Sequence, residues 1–241
     1  MEEYVASCKI DYYLGDIKKD LDLSDINFTF GGYSIETIVE AETAGKALSK
    51  VEESFKLLIK WISLLFNSCI TIEELYVTDS KGRKITRTKT LFPMKIEIEM
   101  DNYDDIVISK LESLKRRSKM IIYPDNYLIF ALDSIVLGNK IRALKGLDTT
   151  RYAILEYYRA IEKMMGGYCR ENQIEEKLKK KGLSDFTERV TSAFKIRSDY
   201  DVAHAYRNKS ADSKDADYVR DVAKDILLKL SERDKSNNEL T

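Results

Sequence analysis

The spacing of the apolar residues changes along this chain, and that change limits its folds more than any other feature. In the first hundred residues, short β-branched and alternating runs end at glycine- or aspartate-rich turns. From about residue 104 onward, apolar residues recur every three or four positions in longer segments. The whole chain of 241 residues has only two prolines and ten glycines, which favours regular elements. The pattern predicts an α+β N-terminal domain followed by an all-α helical bundle.

The N-terminal domain, residues 1–103, is expected to place strands around one long amphipathic helix at 43–67. Apolar residues recur at intervals of three and four through that helix, and Thr43 can cap its start. Strands are predicted at 26–30, in YSIETIVEAE at 33–42, in the two arms of a hairpin whose turn lies at 79–82, and at 94–100.

Helices are predicted for the remainder of the chain. Residues 104–121 are expected to form a connecting helix, and Pro124 marks a boundary because the residue before a proline is pushed away from helical geometry. The helical domain is expected at 122–235, and 236–241 as a disordered tail. Glycines separate its five helices, which are predicted at about 126–145, 148–168, 171–181, 184–208 and 214–233.

Composition excludes several classes of protein. No run of about eighteen apolar residues is present, and the acidic N-terminus lacks the order of a signal peptide, so we expect neither a membrane span nor a leader. Three scattered cysteines indicate a reduced cytoplasmic compartment, and a single histidine argues against a metal site. Residues 1–40 carry nine acidic against three basic side chains, whereas 138–211 carry sixteen basic against ten acidic. The basic half permits RNA binding, but a solvated helical surface would look the same.

The segment FKIRSDYDVAHAYRNKS carries the only histidine and the clearest chemical pattern. Arg197 and His204 are seven residues apart, which puts both on one face of a helix about 10 Å apart along its axis. Tyr200 and Asp201 lie between them, and Asp201 could fix the tautomer of the histidine. An arginine that binds phosphate and a histidine that transfers protons are what metal-free RNA cleavage needs. The same spacing also arises by chance on exposed helices.

This segment resembles the motif of the HEPN family, in which an arginine is followed by four to six residues and then a histidine. The preceding helix, TTRYAILEYYRAIEKMMGGY, is similar to the Apea-like variety of the family, where an Arg, a Tyr and a Glu recur. The matching positions are Arg151, Tyr158 and Glu162. The resemblance spans about residues 122–233. One departure is Ser198, where many members carry Asn, Asp or His, and Asp199 is a candidate substitute.

The resemblance implies a function and a partner. HEPN ribonucleases are dimers in which both motifs face one cleft, so the chain is expected to be a metal-independent endoribonuclease, a homodimer without a cofactor, and a defence or toxin effector acting on RNA. The alternative is a non-catalytic HEPN-like module that binds nucleotide, RNA or a partner protein. A helical scaffold unrelated to HEPN is the third alternative, and it would follow if the two long helices pack parallel instead of antiparallel.

Two further sets of residues are candidates for contacts with partners. Tyr206, two residues after the histidine, resembles the tyrosine that a separate nucleotidyltransferase antitoxin chain modifies with AMP in some HEPN toxins, although an ordinary helical tyrosine fits as well. The predicted hairpin carries basic residues that could steer RNA by charge, or could simply be solvated. They are Lys81, Arg83, Lys84, Arg87 and Lys89.

Overall fold

The structure, a computed structural model, forms two compact units. One comprises residues 1–66 with 70–123, and the other comprises 67–69 with 124–241. The residues described are 1–16, 18–23, 26–89, 102–118, 125–144, 149–200 and 212–233.

An antiparallel sheet of six strands forms the N-terminal unit, in the order β2-β3-β4-β1-β5-β6. The first strand along the chain therefore lies at the centre of the sheet, between β4 and β5. The strands are β1 Glu2–Ile10, β2 Lys19–Leu23, β3 Ile26–Gly31, β4 Ser34–Ala41, β5 Ile72–Thr78 and β6 Lys84–Lys89.

One face of the sheet is covered by helix α1, Ala44–Phe66, which confirms the long helix predicted at 43–67. The backbone N–H of Lys46 donates to the Oγ1 atom of Thr43 at 3.3 Å, so the predicted cap is present. Phe28 of the sheet meets Phe55 of α1 edge to face, with ring centres 5.6 Å apart. Both rings are fully buried, which places the core of this unit between sheet and helix.

Helix α2, Tyr103–Lys115, packs inside the N-terminal unit instead of serving only as a connection. The Tyr103 hydroxyl donates to the backbone carbonyl of Tyr13 at 2.6 Å, and Lys19 pairs with Glu112 at 2.8 Å. The strands predicted at 26–30 and 33–42 and the hairpin are present. The strand predicted at 94–100 lies outside the described residues, and strands β1 and β2 were not predicted.

Helices make up the C-terminal unit. They are α3 Asn126–Ala143, α4 Thr149–Met164, α5 Ile174–Lys180, α6 Thr187–Tyr200 and α7 Ser213–Arg233, with 3₁₀ turns at Glu171–Gln173 and Ser184–Phe186. Helix α4 ends four residues earlier than the predicted 148–168, since Gly166 and Gly167 adopt φ of 86° and 108°. The N–H of Gly167 donates back to the carbonyl of Glu162 at 2.7 Å, a closing bond typical of a helix end.

Helix α4 runs antiparallel to both α3 and α6. Along α3 and α4, Phe130 meets Lys163 and Gly138 meets Tyr157, so the residue numbers change in opposite directions. Helix α6 is antiparallel to α4, as the pairs Tyr158–Phe194 and Arg151–Tyr200 show. Parallel packing of the two long helices, which would have indicated a scaffold unrelated to HEPN, is not the arrangement of α3 and α4. Among the described residues, no helix has both the length and the apolar character needed to cross a membrane.

Candidate functional site

The candidate site begins with a stripe of three residues on helix α4. Arg151, Tyr158 and Glu162 are separated by seven and four residues, which places them on one face of the helix. That face meets α6, where Arg197 lies. Helix packing therefore brings the arginine of the motif to the residues of α4 that the resemblance selected.

Arg197 lies on the ring of Tyr158. Its guanidinium carbon is 5.7 Å from the centre of that ring, a distance at which a cation is attracted to an aromatic face. Phe194, nearly one turn earlier on α6, packs edge-on against the same ring at 6.1 Å. The Arg197 side chain is half-buried. The contact with the Tyr158 ring restricts the Arg197 side chain, while part of that side chain remains accessible to solvent.

The hydroxyl group of Tyr158 is buried in an unusual way. The side chain is 1% exposed, and its oxygen has no hydrogen-bond partner among the described residues. Burial raises the pKa of this phenol, and the nearby Cys169 and Glu162 add to the shift, whereas the positive charge of Arg197 opposes it. Tyr158 is therefore neutral at physiological pH and has an unused O–H donor close to a cation and a carboxyl group.

Arg151 links helix α4 to the last described residue of α6. Its Nε–H donates to the backbone carbonyl of Tyr200 at 2.6 Å. The Tyr200 side chain is 2% exposed, and its hydroxyl donates to Asp215 of α7 at 2.7 Å. Tyr200, which the sequence analysis proposed as a supporting residue of the site, is thus anchored in the interface between α6 and α7. Its phenol does not lie on the open face.

The other residues proposed from the sequence have different placements. Asp199 is half-buried on α6, one residue before Tyr200. Asp201, His204 and Tyr206 lie outside the described residues, as does the part of the predicted helix 184–208 beyond residue 200. The Arg197–His204 separation therefore stays a prediction.

Several basic residues of the hairpin form ion pairs with carboxylates. Arg83 pairs with Asp79 at 2.7 Å in the turn. Lys84 pairs with Glu74 at 2.8 Å and lies over the Tyr76 ring, whereas Arg87 reaches Glu52 on α1 at 3.5 Å. Lys81 is exposed in the turn, and Lys89 is the last residue of β6. Three of the five are therefore in ion pairs, and their contact with RNA stays a prediction.

The described residues contain no cluster of three or more His, Cys, Asp or Glu side chains that could hold a metal ion. Comparison of the chain with models of protein families, with curated proteins and with solved structures found no match.

Proposed function

We propose that the C-terminal unit is a HEPN-type domain and that the chain is a metal-independent endoribonuclease, a defence or toxin effector that uses Arg197 and His204. The observation that carries the proposal is the position of Arg197. It lies on Tyr158 of the α4 stripe, with part of its side chain open to solvent. The antiparallel α3–α4–α6 order agrees with the same proposal.

The chemistry assigned to the two residues is a transesterification. His204 removes the proton of an RNA 2′-hydroxyl, whose oxygen then forms a bond to the adjacent phosphorus while the bond from phosphorus to the 5′-oxygen breaks. The histidine of a second copy returns a proton to the departing 5′-oxygen. Arg197 stabilises the additional negative charge on the phosphoryl oxygens, for which a planar guanidinium is well suited. The products are a 2′,3′-cyclic phosphate and a free 5′-hydroxyl.

The burial of Tyr158 supports the assigned role of Arg197. The aromatic ring below the guanidinium restricts its movement, and a preorganised charge stabilises a transition state more strongly than a mobile one. The hydrogen bond from Arg151 to the Tyr200 carbonyl ties α6 to α4 only three residues beyond Arg197.

The proposal is tested with the purified full-length chain, single-stranded RNA and an excess of EDTA. We expect cleavage that leaves cyclic phosphate ends. Arg197→Ala and His204→Ala should each lower the rate by about 100-fold or more, as is typical when a charge-stabilising or proton-transferring group is lost. Arg189→Ala is the matched control, because Arg189 lies on the same helix but pairs with Asp225 of α7. It should cleave at the rate of the unmodified chain.

Substrate chemistry provides a second control. An oligonucleotide with a single 2′-deoxy nucleotide at the cleavage site should resist cutting there, because the attacking hydroxyl is absent. Binding of RNA without cleavage by any preparation of the chain would support the non-catalytic alternative. Cleavage that persists in both Arg197→Ala and His204→Ala would contradict the assignment of these residues.

The dimer is a separate part of the proposal. Two copies of the motif around one phosphate supply two arginines and two histidines by symmetry. Sedimentation of the unmodified chain should show a dimer, and the specific cleavage rate should fall when dilution separates the copies. A monomer with undiminished specific activity would exclude the shared cleft but would leave the roles of the two residues open to the variants above.

A further inference from the structure

A second polar site lies on another face of helix α4, where α4 meets α3 and α7. It is an open cavity of about 310 Å³ inside the C-terminal unit, and we call it the arginine pocket. Arg142 of α3 and Arg220 of α7 line it, together with Asn139, Tyr157, Asp217 and Ser68. None of these residues was selected by the sequence analysis, and none belongs to the Arg197 site.

The two arginines are held together by one carboxylate oxygen. Both Arg142 and Arg220 contact the Oδ1 atom of Asp217 through an Nη1 atom, in the case of Arg220 at 2.8 Å. Their side chains are only 23% and 13% exposed. The charged groups that line the cavity are therefore two cations and one anion. Asp221 also pairs with Arg220 at 3.1 Å, but it does not line the cavity.

The neutral part of the pocket is ordered by hydrogen bonds. The buried Tyr157 hydroxyl donates to the Oδ1 atom of Asn139 at 2.9 Å, and the Nδ2 atom of Asn139 donates to the Ser68 carbonyl at 3.5 Å. Burial raises the pKa of Tyr157 to about 12, although Arg142 and Arg220 both act to lower it. The tyrosine is consequently a neutral group next to two guanidinium groups.

Glycine at position 138 is what permits this arrangement. A Cβ atom there would lie 2.3 Å from the Cε1 atom of Tyr157, which is closer than any real contact. The absent side chain lets the Tyr157 ring pack directly on the backbone of α3, next to Asn139. The Tyr157 ring, packed closely against α3, therefore lines the pocket together with the guanidinium groups of Arg142 and Arg220.

We propose that the arginine pocket binds a phosphate group of a small ligand. A carboxylate oxygen shared by two guanidinium groups has the geometry that a phosphate oxygen adopts between two arginines, and each guanidinium has five N–H donors. Asp217 accepts from Arg142 through a single Nη1 donor. The volume of about 310 Å³ is at the lower end of the range for ligand sites, which suits inorganic phosphate or a mononucleotide and excludes a polymer from the interior.

The experiment measures binding of inorganic phosphate to the full-length chain by calorimetry at constant ionic strength, with AMP and adenosine as parallel ligands. We expect saturable binding of phosphate and AMP but not of adenosine. AMP that binds more tightly than phosphate identifies a nucleotide as the ligand, whereas equal affinities identify free phosphate. Both results support the pocket. Absence of saturable phosphate and AMP binding overturns it.

Variants locate the binding and separate it from a purely structural ion pair. Arg142→Gln and Arg220→Gln should each weaken phosphate binding about tenfold or more, because each removes charge-assisted hydrogen bonds. Arg159→Gln is the matched control, since Arg159 is an exposed arginine of α4 that pairs with Glu156 one turn earlier and does not line the pocket. It should leave the affinity unchanged. Equal affinity in all three variants overturns the assignment.

Asp217→Asn keeps the proposal testable if the arginine variants fail to fold. Removing the carboxylate takes away the negative charge that competes with phosphate for the same N–H groups, so we expect binding to tighten by several-fold. A purely structural ion pair predicts no phosphate binding in this variant either. RNA cleavage is a separate measurement, because the Arg197 site uses a different face of α4, and either proposal can fail without the other.

Discussion

Two adjacent tyrosines on helix α4 have opposite surroundings. Tyr157 faces α3 and α7, is fully buried, and donates its hydroxyl hydrogen to Asn139. Tyr158 faces α6, is equally buried, and its hydroxyl has no hydrogen-bond partner among the described residues. A turn of about 100° along the helix separates a satisfied polar group from an unsatisfied one.

The Tyr157 face of α4 is therefore fully used in packing and hydrogen bonding, whereas the Tyr158 face keeps a hydroxyl that has no hydrogen-bond partner among the described residues. An unsatisfied buried hydroxyl costs about 1–3 kcal/mol, and native proteins rarely retain one without a reason. The Tyr158 hydroxyl lies in the neighbourhood of Arg197 and Glu162. The Tyr157 hydroxyl instead orders the neutral part of the arginine pocket.

The largest effect is expected from closing the space that Tyr157 occupies. In Gly138→Ala the new Cβ would lie 2.3 Å from the Tyr157 ring, and neither helix backbone can move away without disturbing other buried contacts. We expect a loss of about 2 to 3 kcal/mol in the free energy of unfolding, typical of severe overpacking, despite the better helix propensity of alanine. Urea titration followed by circular dichroism measures it.

Gly45→Ala is the control for that substitution. Gly45 lies in α1, has no positive φ, and leaves open space for 4 Å around the position that an alanine Cβ would take. Alanine should therefore be neutral or slightly stabilising there. If Gly138→Ala proves as harmless as Gly45→Ala, the tight contact between α3 and α4 does not exist in solution.

Alkaline pH should weaken the fold through the same tyrosine. The pKa of Tyr157 is raised from about 10 in the unfolded chain to about 12 in the folded one, so the folded state keeps its proton longer. The resulting stability is fully present below pH 10 and is lost as pH rises towards 12. By pH 11 the loss is about 1.4 kcal/mol. Urea titrations at pH 9 and pH 11 should show a smaller difference for Tyr157→Phe than for the exposed control Tyr152→Phe. An equal difference in both would contradict the raised pKa.

The sequence predicted most helices because their apolar spacing is long and regular, but it did not reveal the central strand. In EEYVASCKI, the buried positions Tyr4, Ala6, Cys8 and Ile10 do alternate. Alanine, serine and cysteine have little preference for strands, however, and Ser7 is buried on the other face beside Glu36. Pairing with two neighbouring strands, and not local preference, makes this segment a strand.

Some features of the candidate site could likewise be predicted from the sequence, and others could not. The resemblance selected Arg151, Tyr158 and Glu162, and their spacing then puts them on one face of α4, because helical geometry fixes which residues share a face. The arginine pocket was not predictable, since its two arginines come from helices far apart in the chain and meet only through helix packing. The burial of Tyr200 was not predictable for a related reason, since its partner Asp215 belongs to the next helix. An isolated glycine inside the helical pattern of α3 was the one local sign of a close helix contact.

A direct test of the comparison replaces each tyrosine by phenylalanine near neutral pH. Tyr157→Phe leaves the buried Oδ1 atom of Asn139 without its donor and should cost about 1 kcal/mol. Tyr158→Phe removes a hydroxyl that has no partner among the described residues, so it should be neutral or stabilising. Equal losses in the two variants, measured by urea titration, would show that Tyr158 has a hydrogen bond after all.

The smallest effect is expected where Arg151 of α4 contacts Tyr200 of α6. Arg151→Met preserves the length of the side chain but removes the donor to the Tyr200 carbonyl, which should cost about 0.5 kcal/mol because that carbonyl can take up water instead. Hydrogen exchange should accelerate in the last turn of α6 and remain unchanged in α3. Arg159→Met, an exposed neighbour on α4, should change neither. Arg151→Met should also lower the rate of RNA cleavage without abolishing it, because Arg197 lies in the part of α6 that becomes less ordered. If hydrogen exchange in α6 is unchanged in Arg151→Met, then α6, which packs on the Tyr158 face of α4, does not depend on Arg151 for its order.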